Sequence, residues 1–143
     1  MERYKAYKYE RWVSKLKGLC PFAATTCVDI IDAVGNTAYT PNQFTGSGSI
    51  VIYLDSLYEG YKSNRYKKRF GKVTFNRLVA LTLLHEACHI KQFEDLGVEK
   101  FTKYVLKIND RHSHDTNLLE IQADEFAKLN IRKFEKKLGI TLS

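Results

Sequence analysis

The chain has little of what staples, stiffens or loosens a fold: 3 cysteines, 2 prolines and 8 glycines in 143 residues. So few prolines and glycines exclude collagen-like and proline-rich classes. Cys20, Cys27 and Cys88 cannot all pair, and a chain of this length needs no staple, so a reducing, cytoplasmic compartment is expected. No apolar run reaches the roughly 18 residues of a membrane-spanning helix, and no membrane partner is expected. The first twelve residues, MERYKAYKYERW, lack the apolar stretch of a secretory signal. There is no internal repeat and no low-complexity segment.

What is present reads as a single globular domain. The chain is 44% hydrophobic and 13% aromatic, which argues against disorder. Its formal charge of +7 is compatible with nucleic acid, an acidic surface or solubility alone.

Residues 3–17 read as a basic helix with Tyr9, Val13 and Leu16 on one side and Gly18 as its stop. Residues 22–34 also read as helical, because Phe22, Thr26, Ile30 and Val34 recur every fourth position; a strand is the alternative there. Residues 36–49 have loop composition, and SIVIYL, 49–54, carries the clearest strand signal. Residues 61–72 read as a solvated connection or a short exposed helix. Thr74 opens a helix that runs to about Leu96, with Gly97 as its stop. From Leu78 to Leu84 that helix is apolar on almost every side, the mark of a buried central helix. Val98, Phe101, Val105 and Ile108 mark a further short helix, 109–116 a polar loop, and a last long helix ends at Leu138. The expected class is α+β: mostly helical, with a small β-sheet and a central helix packed against the C-terminal one.

The central helix carries His85-Glu86-Ala87-Cys88-His89, an H-E-x-x-H motif. A chain of this composition yields that motif by chance roughly 0.007 times. Residues four apart leave a helix on the same face, so both imidazoles can share one metal ion. Glu86 lies about 100° around the helix from His85, beside such an ion rather than on it. There a carboxylate can take a proton from water.

A catalytic zinc usually takes three protein ligands. The apolar face of the last helix holds Leu119, Ala123, Phe126, Ala127, Ile131, Phe134 and Leu138, and Glu120 and Asp124 fall inside it, one turn apart. Carboxylates on a core-facing stripe need a cation or a donor. Glu120 can be the third ligand, and Asp124 can accept the second N–H of a ligating histidine. Alternatively Glu120 closes a capping box on Asn117, and His112 or His114 supplies the third ligand or stabilises an oxyanion. A metzincin arrangement is excluded, since it needs Gly at 92 and a ligand at 95, where the chain has Gln92 and Asp95. Cys20 and Cys27 are wrongly spaced for a zinc site and read as buried thiols, and Cys88 as a packing residue.

Together, His85-Glu86-x-x-His89 and the downstream Glu120-x-x-x-Asp124 resemble the gluzincin pattern. The nearest in kind are the minigluzincins and HtpX-type peptidases and, more loosely, ImmA/IrrE-like peptidases. The resemblance covers about residues 49–134, within a catalytic core of 49–138, and leaves 1–48 unassigned. It implies a hydrolase, a zinc metalloprotease acting on a peptide or protein substrate. His85, His89 and Glu120 would be the metal ligands, Glu86 the general base and Asp124 the residue orienting a ligand histidine. It also implies that the strand Ile50, Val51, Ile52, Tyr53, Leu54 is the edge strand pairing with an extended substrate. A small enzyme of this kind can be latent, with a terminal segment such as Gly139–Ser143 in its cleft.

Two alternatives stand beside this. H-E-x-C-H also resembles SprT-like proteases, which act on DNA-associated proteins with a histidine as third ligand. The other is a non-catalytic nucleic-acid- or protein-binding domain with a structural or vestigial metal site. Its support is the basic run Lys62, Arg65, Lys67, Lys68, Arg69 and Lys72, interleaved with Tyr61, Tyr66 and Phe70.

Overall fold

In a computed structural model of the chain, which describes residues 5–41, 48–109 and 118–142, helices dominate and one small mixed sheet accompanies them. A 3-10 turn, Ala6–Tyr9, leads into α1, Glu10–Leu19. Three strands follow: β1 Cys27–Ile31, β2 Ala38–Pro41 and β3 Gly48–Tyr53. Then come α2 Leu54–Lys62, α3 Lys67–Phe70, α4 Phe75–Asn109 and α5 Leu118–Leu138. This is the α+β class expected.

Two segments differ from the sequence reading. The 22–34 stretch is a 3-10 turn at Pro21–Ala23 followed by β1, so the strand alternative holds and the helix does not. Val28, Ile30 and Ile31 are β-branched, stiff at χ1, and fit a pleated surface better than a helix. Val34, the last member of the fourfold pattern, is 78% exposed. The supposed loop 36–49 contains β2, whose four residues are too short to show a period.

The sheet order is β1-β3-β2, with β1 parallel and β2 antiparallel to β3. β3 therefore is the middle strand, and the expectation that it is a free substrate edge is corrected. Ile50 and Ile52 turn into the core, Val51 and Tyr53 are half-buried, and Leu54 already opens α2. The edge is β2. Residues 1–48 supply two of the three strands, so no structural boundary separates them from the segment that follows.

The 3-10 turn and α1 present Tyr9, Trp12 and Leu16 inward, while Val13 is only half-buried. Trp12 meets Phe134 of α5 edge to face, ring centroids 6.2 Å apart. The Arg11 guanidinium donates to the Leu138 carbonyl at 2.7 Å, which pins the last turn of α5. Cys20 is buried as expected, but Cys27 is exposed on β1.

α4 is broken at Gly97, whose φ of 81° is open to glycine and costly for other residues. The expected stop is thus a kink. α5 ends at Leu138 before Gly139, as expected. The tail beyond it turns back on the helices. Leu142 is buried, its N–H donates to Glu135 and its carbonyl accepts from Thr74. Residues 139–142 therefore sit at the start of α4, not in the cleft described below, and give no support to latency by this tail. Among the described residues no helix is long and apolar enough to cross a membrane.

Phe134 is completely buried where α1 and α5 meet. Phe134→Ala should cost about 3–5 kcal/mol by urea denaturation, and a loss under about 1 kcal/mol would mean that this contact is not part of the core.

Candidate metal centre

α4 sets the site. Its first turn is capped by Thr74, whose hydroxyl accepts the Arg77 N–H at 3.2 Å. Residues 78–90 are buried without interruption. Every polar side chain in that run must find a partner inside the protein. Thr82 satisfies itself on the Leu78 carbonyl at 2.7 Å. The others reach to neighbouring elements.

His89 shows how the ring nitrogens are committed. Its Nδ1 lies 2.7 Å from Gln92 Oε1, one turn on. The amide nitrogen of Gln92 donates to the Leu119 carbonyl at 2.9 Å and to Gln122 Oε1 at 2.8 Å. With its NH2 spent on two acceptors, Gln92 offers only its oxygen to the imidazole. Nδ1 of neutral His89 must therefore carry the proton, and Nε2 presents a lone pair. His85 is held the same way, with Nδ1 at 2.7 Å from Asp124 Oδ1. Asp124 in turn accepts from Nη2 and Nε of Arg69, at 2.8 and 3.1 Å. This fork geometry is the strong form of an Arg–carboxylate pair.

The two Nε2 atoms face each other at 3.2 Å. Glu120 closes the triangle, with Oε2 at 3.3 Å from His85 Nε2 and Oε1 at 2.8 Å from His89 Nε2. Tetrahedral ligands at the usual zinc distances of 2.0–2.1 Å stand about 3.3 Å from one another. His85, His89 and Glu120 form a group that can hold a metal ion. The donor set fits: two imidazole lone pairs and a carboxylate converge on one point, and each imidazole's other nitrogen is held from behind.

Burial alone would pull the His85 imidazole down, but its bonds to Asp124 and Glu120 and the charges of Glu86 and Glu120 outweigh that and hold it at about 9. Without metal, a proton on His85 thus takes the cation's place. Glu86 is buried, and one of its oxygens accepts the Tyr39 N–H of β2 at 3.2 Å. Burial raises its pKa above the ordinary carboxylate range, against the opposing charges of His85 and His89. Burial pushes the Cys88 thiol up to about 12, in keeping with a packing role.

The triad opens into a cleft of about 420 Å³. One wall is residues 35–39, leading into the β2 edge. The other is the α2–α3 connection with Arg65, Tyr66 and Arg69, and His85, Glu86, His89 and Glu120 form the floor. His112, His114 and Asn117 lie outside the described residues.

Three contributors escape the sequence reading. Gln92 had a findable signal, since it stands three residues from His89 on the same helical face. Arg69 is hidden inside a run of basic residues that reads as solvated. The Tyr39 N–H is a main-chain group and has no sequence signature. No protein-family model matches the chain, and no curated protein or solved structure matches it either.

Two outcomes follow from this geometry. Asp124→Ala should weaken divalent-metal binding about 10- to 100-fold by competition with a chromogenic chelator, the usual cost of losing a histidine's hydrogen-bond partner. The second concerns pH. His85 is raised above its ordinary value, so its protonation stabilises the metal-free fold below about 6.5, and this is lost as pH climbs through about 9. The metal must displace that proton, so its affinity should rise about tenfold per pH unit between roughly 6.5 and 8.5 in calorimetric titrations. A flat profile would show that His85 is not the protonated partner.

Proposed function

We propose that this protein is a zinc-dependent metallopeptidase, with His85, His89 and Glu120 as ligands and Glu86 as general base. The observation that carries the reading is the convergence of both Nε2 atoms and the Glu120 carboxylate beside Glu86, in one cleft. A donor set of two histidines and one glutamate suits zinc, which when bound supplies a Lewis acid and acidifies water near neutral pH.

The protein's own groups do the rest. Glu86, held by the Tyr39 N–H, takes one proton from the attacking water. The water oxygen adds to the scissile carbonyl carbon. As the C–N bond breaks, Glu86 returns the proton to the departing amine nitrogen, so the peptide leaves as a carboxylic acid and an amine. Gln92 and the Arg69–Asp124 pair keep the imidazoles aimed. The exposed edge of β2, in place of β3, is the element suited to pair with an extended peptide.

Glu120 favours this reading over a protease with a histidine third ligand, because its carboxylate already lies within 2.8 and 3.3 Å of the two Nε2 atoms. The basic run gives little support to nucleic-acid binding, since Tyr61, Tyr66 and Phe70 pack against the core instead of standing free for bases.

Glu86→Gln separates metal binding from chemistry. The variant should keep one zinc per chain by elemental analysis and lose at least about 100-fold in peptide cleavage. Undiminished cleavage in the variant, or in protein stripped of metal by a chelator, would overturn the assignment.

A further inference from the structure

We propose that the cleft selects peptides bearing a carboxylate side chain close to the scissile bond, and that Arg65 is the residue that reads it. The inference rests on the metallopeptidase reading above and adds a substrate class to it.

The argument starts from the charges facing the cleft. Among its described lining residues the only acids are Glu86 and Glu120, and both are committed to the centre. Two cations line it, Arg65 and Arg69. Arg69 is paired with Asp124, through Nε and Nη2. Arg65 is exposed, and its guanidinium has no hydrogen-bond or ion-pair partner among the described residues. A substrate therefore meets one uncommitted positive charge on the α2–α3 wall.

That charge is carried by a built turn. Asn64 takes a positive φ of 61°. The Arg65 N–H donates to the Gly60 carbonyl at 2.9 Å, and the Ser63 hydroxyl donates to the same oxygen at 3.1 Å. Tyr66 packs so closely on Gly60 that a Cβ there would fall 2.5 Å from its ring. Arg65 is thus fixed between a left-handed residue and a docked aromatic ring, with its backbone tied to α2.

The neighbourhood reinforces the sign. No acid occurs from residue 60 to 72, while Lys62, Lys67 and Lys72 line a second groove of about 470 Å³ that shares Tyr66 with the cleft. A guanidinium on a substrate-facing wall prefers a carboxylate, which it can engage with two parallel hydrogen bonds, and repels lysine and arginine. The wider basic field speeds the encounter and adds salt dependence.

The test uses the full zinc-loaded chain and two peptide series of equal length, identical except for Glu or Lys at each position flanking the bond. Cleavage is measured in the native protein, and affinity in the Glu86→Gln protein by fluorescence anisotropy at low and high salt. At least one flanking position should favour Glu. Arg65→Glu should shift the Glu-to-Lys ratio at that position by about tenfold toward Lys, because reversal turns each attraction into a repulsion. Arg65→Gln should give an intermediate ratio, and Lys72→Glu, outside the cleft, a much smaller shift. Zinc content and thermal midpoint report that each variant is folded.

A Glu-to-Lys ratio near one at every position, or one unmoved by Arg65→Glu, overturns the inference while leaving cleavage and the metallopeptidase reading in place. The reverse result, charge-selective binding reversed by Arg65→Glu without any cleavage, sustains the selectivity and removes the peptidase activity. Displacement of the acidic peptide by a single-stranded oligonucleotide binding more tightly, in an Arg65-dependent way, would assign the wall to nucleic acid and overturn the peptide proposal.

Discussion

The molecule depends on one constraint: α4 is buried on every side for thirteen consecutive residues, and four of its side chains there, or one turn beyond, are strongly polar. Each of those groups would cost about 1–3 kcal/mol if left unmatched. His85 is met by α5 through Asp124, which Arg69 of α3 holds in turn. Glu86 is met by β2 through a main-chain N–H. His89 is met by Gln92, which ties itself to the first turn of α5. The contacts that satisfy α4 are also the contacts that place β2, α3 and α5 around it. Fold and site are therefore one problem, and a group removed from the centre loosens the packing of a whole element.

The charge balance of the centre would suit a divalent ion. With imidazoles neutral, Glu86, Glu120 and Asp124 face one close cation among the described residues, the half-buried Arg69, which leaves a net of about −2 when all three are ionised. A proton on His85 removes half of that excess, and a divalent ion removes all of it. The orientation of Gln92 adds a separate argument that does not rest on charge. An amide turned so that its oxygen faces His89 Nδ1 makes sense where Nε2 must offer a lone pair.

What the sequence made legible followed periodicity and motif. The buried helix from Leu78, the pairing of His85 with His89, and the inward stripe holding Glu120 and Asp124 could all be read from spacing, because a helix fixes which residues share a face. Helix ends at Thr74 and Leu138 were legible from capping chemistry and the following glycine. The sheet was not. The stretch around β1 repeats Phe22, Thr26, Ile30 and Val34 at every fourth position, which imitates a helix, and β2 is four residues with no period at all. Pairing order is a long-range property, so nothing local in SIVIYL told that it would be enclosed on both sides. Arg69 stayed hidden for a related reason. Its role depends on Asp124, 55 positions away, and its local context is indistinguishable from solvated charge.

The contact between β2 and Glu86 links the strand to the proton affinity of that carboxylate. Burial makes the Glu86 carboxylate more basic, while the Tyr39 N–H and the nearby imidazoles make it less so. The net effect leaves the Glu86 carboxylate raised above the ordinary range, the direction that a general base working near neutral pH would need. The same N–H belongs to the strand whose edge borders the cleft. A peptide paired with β2 would bear on the strand that holds Glu86, so under the proposed function its seating would be coupled to the proton affinity of that carboxylate through one hydrogen bond. If the chain is the peptidase proposed above, that hydrogen bond is a way for substrate binding to be felt at Glu86.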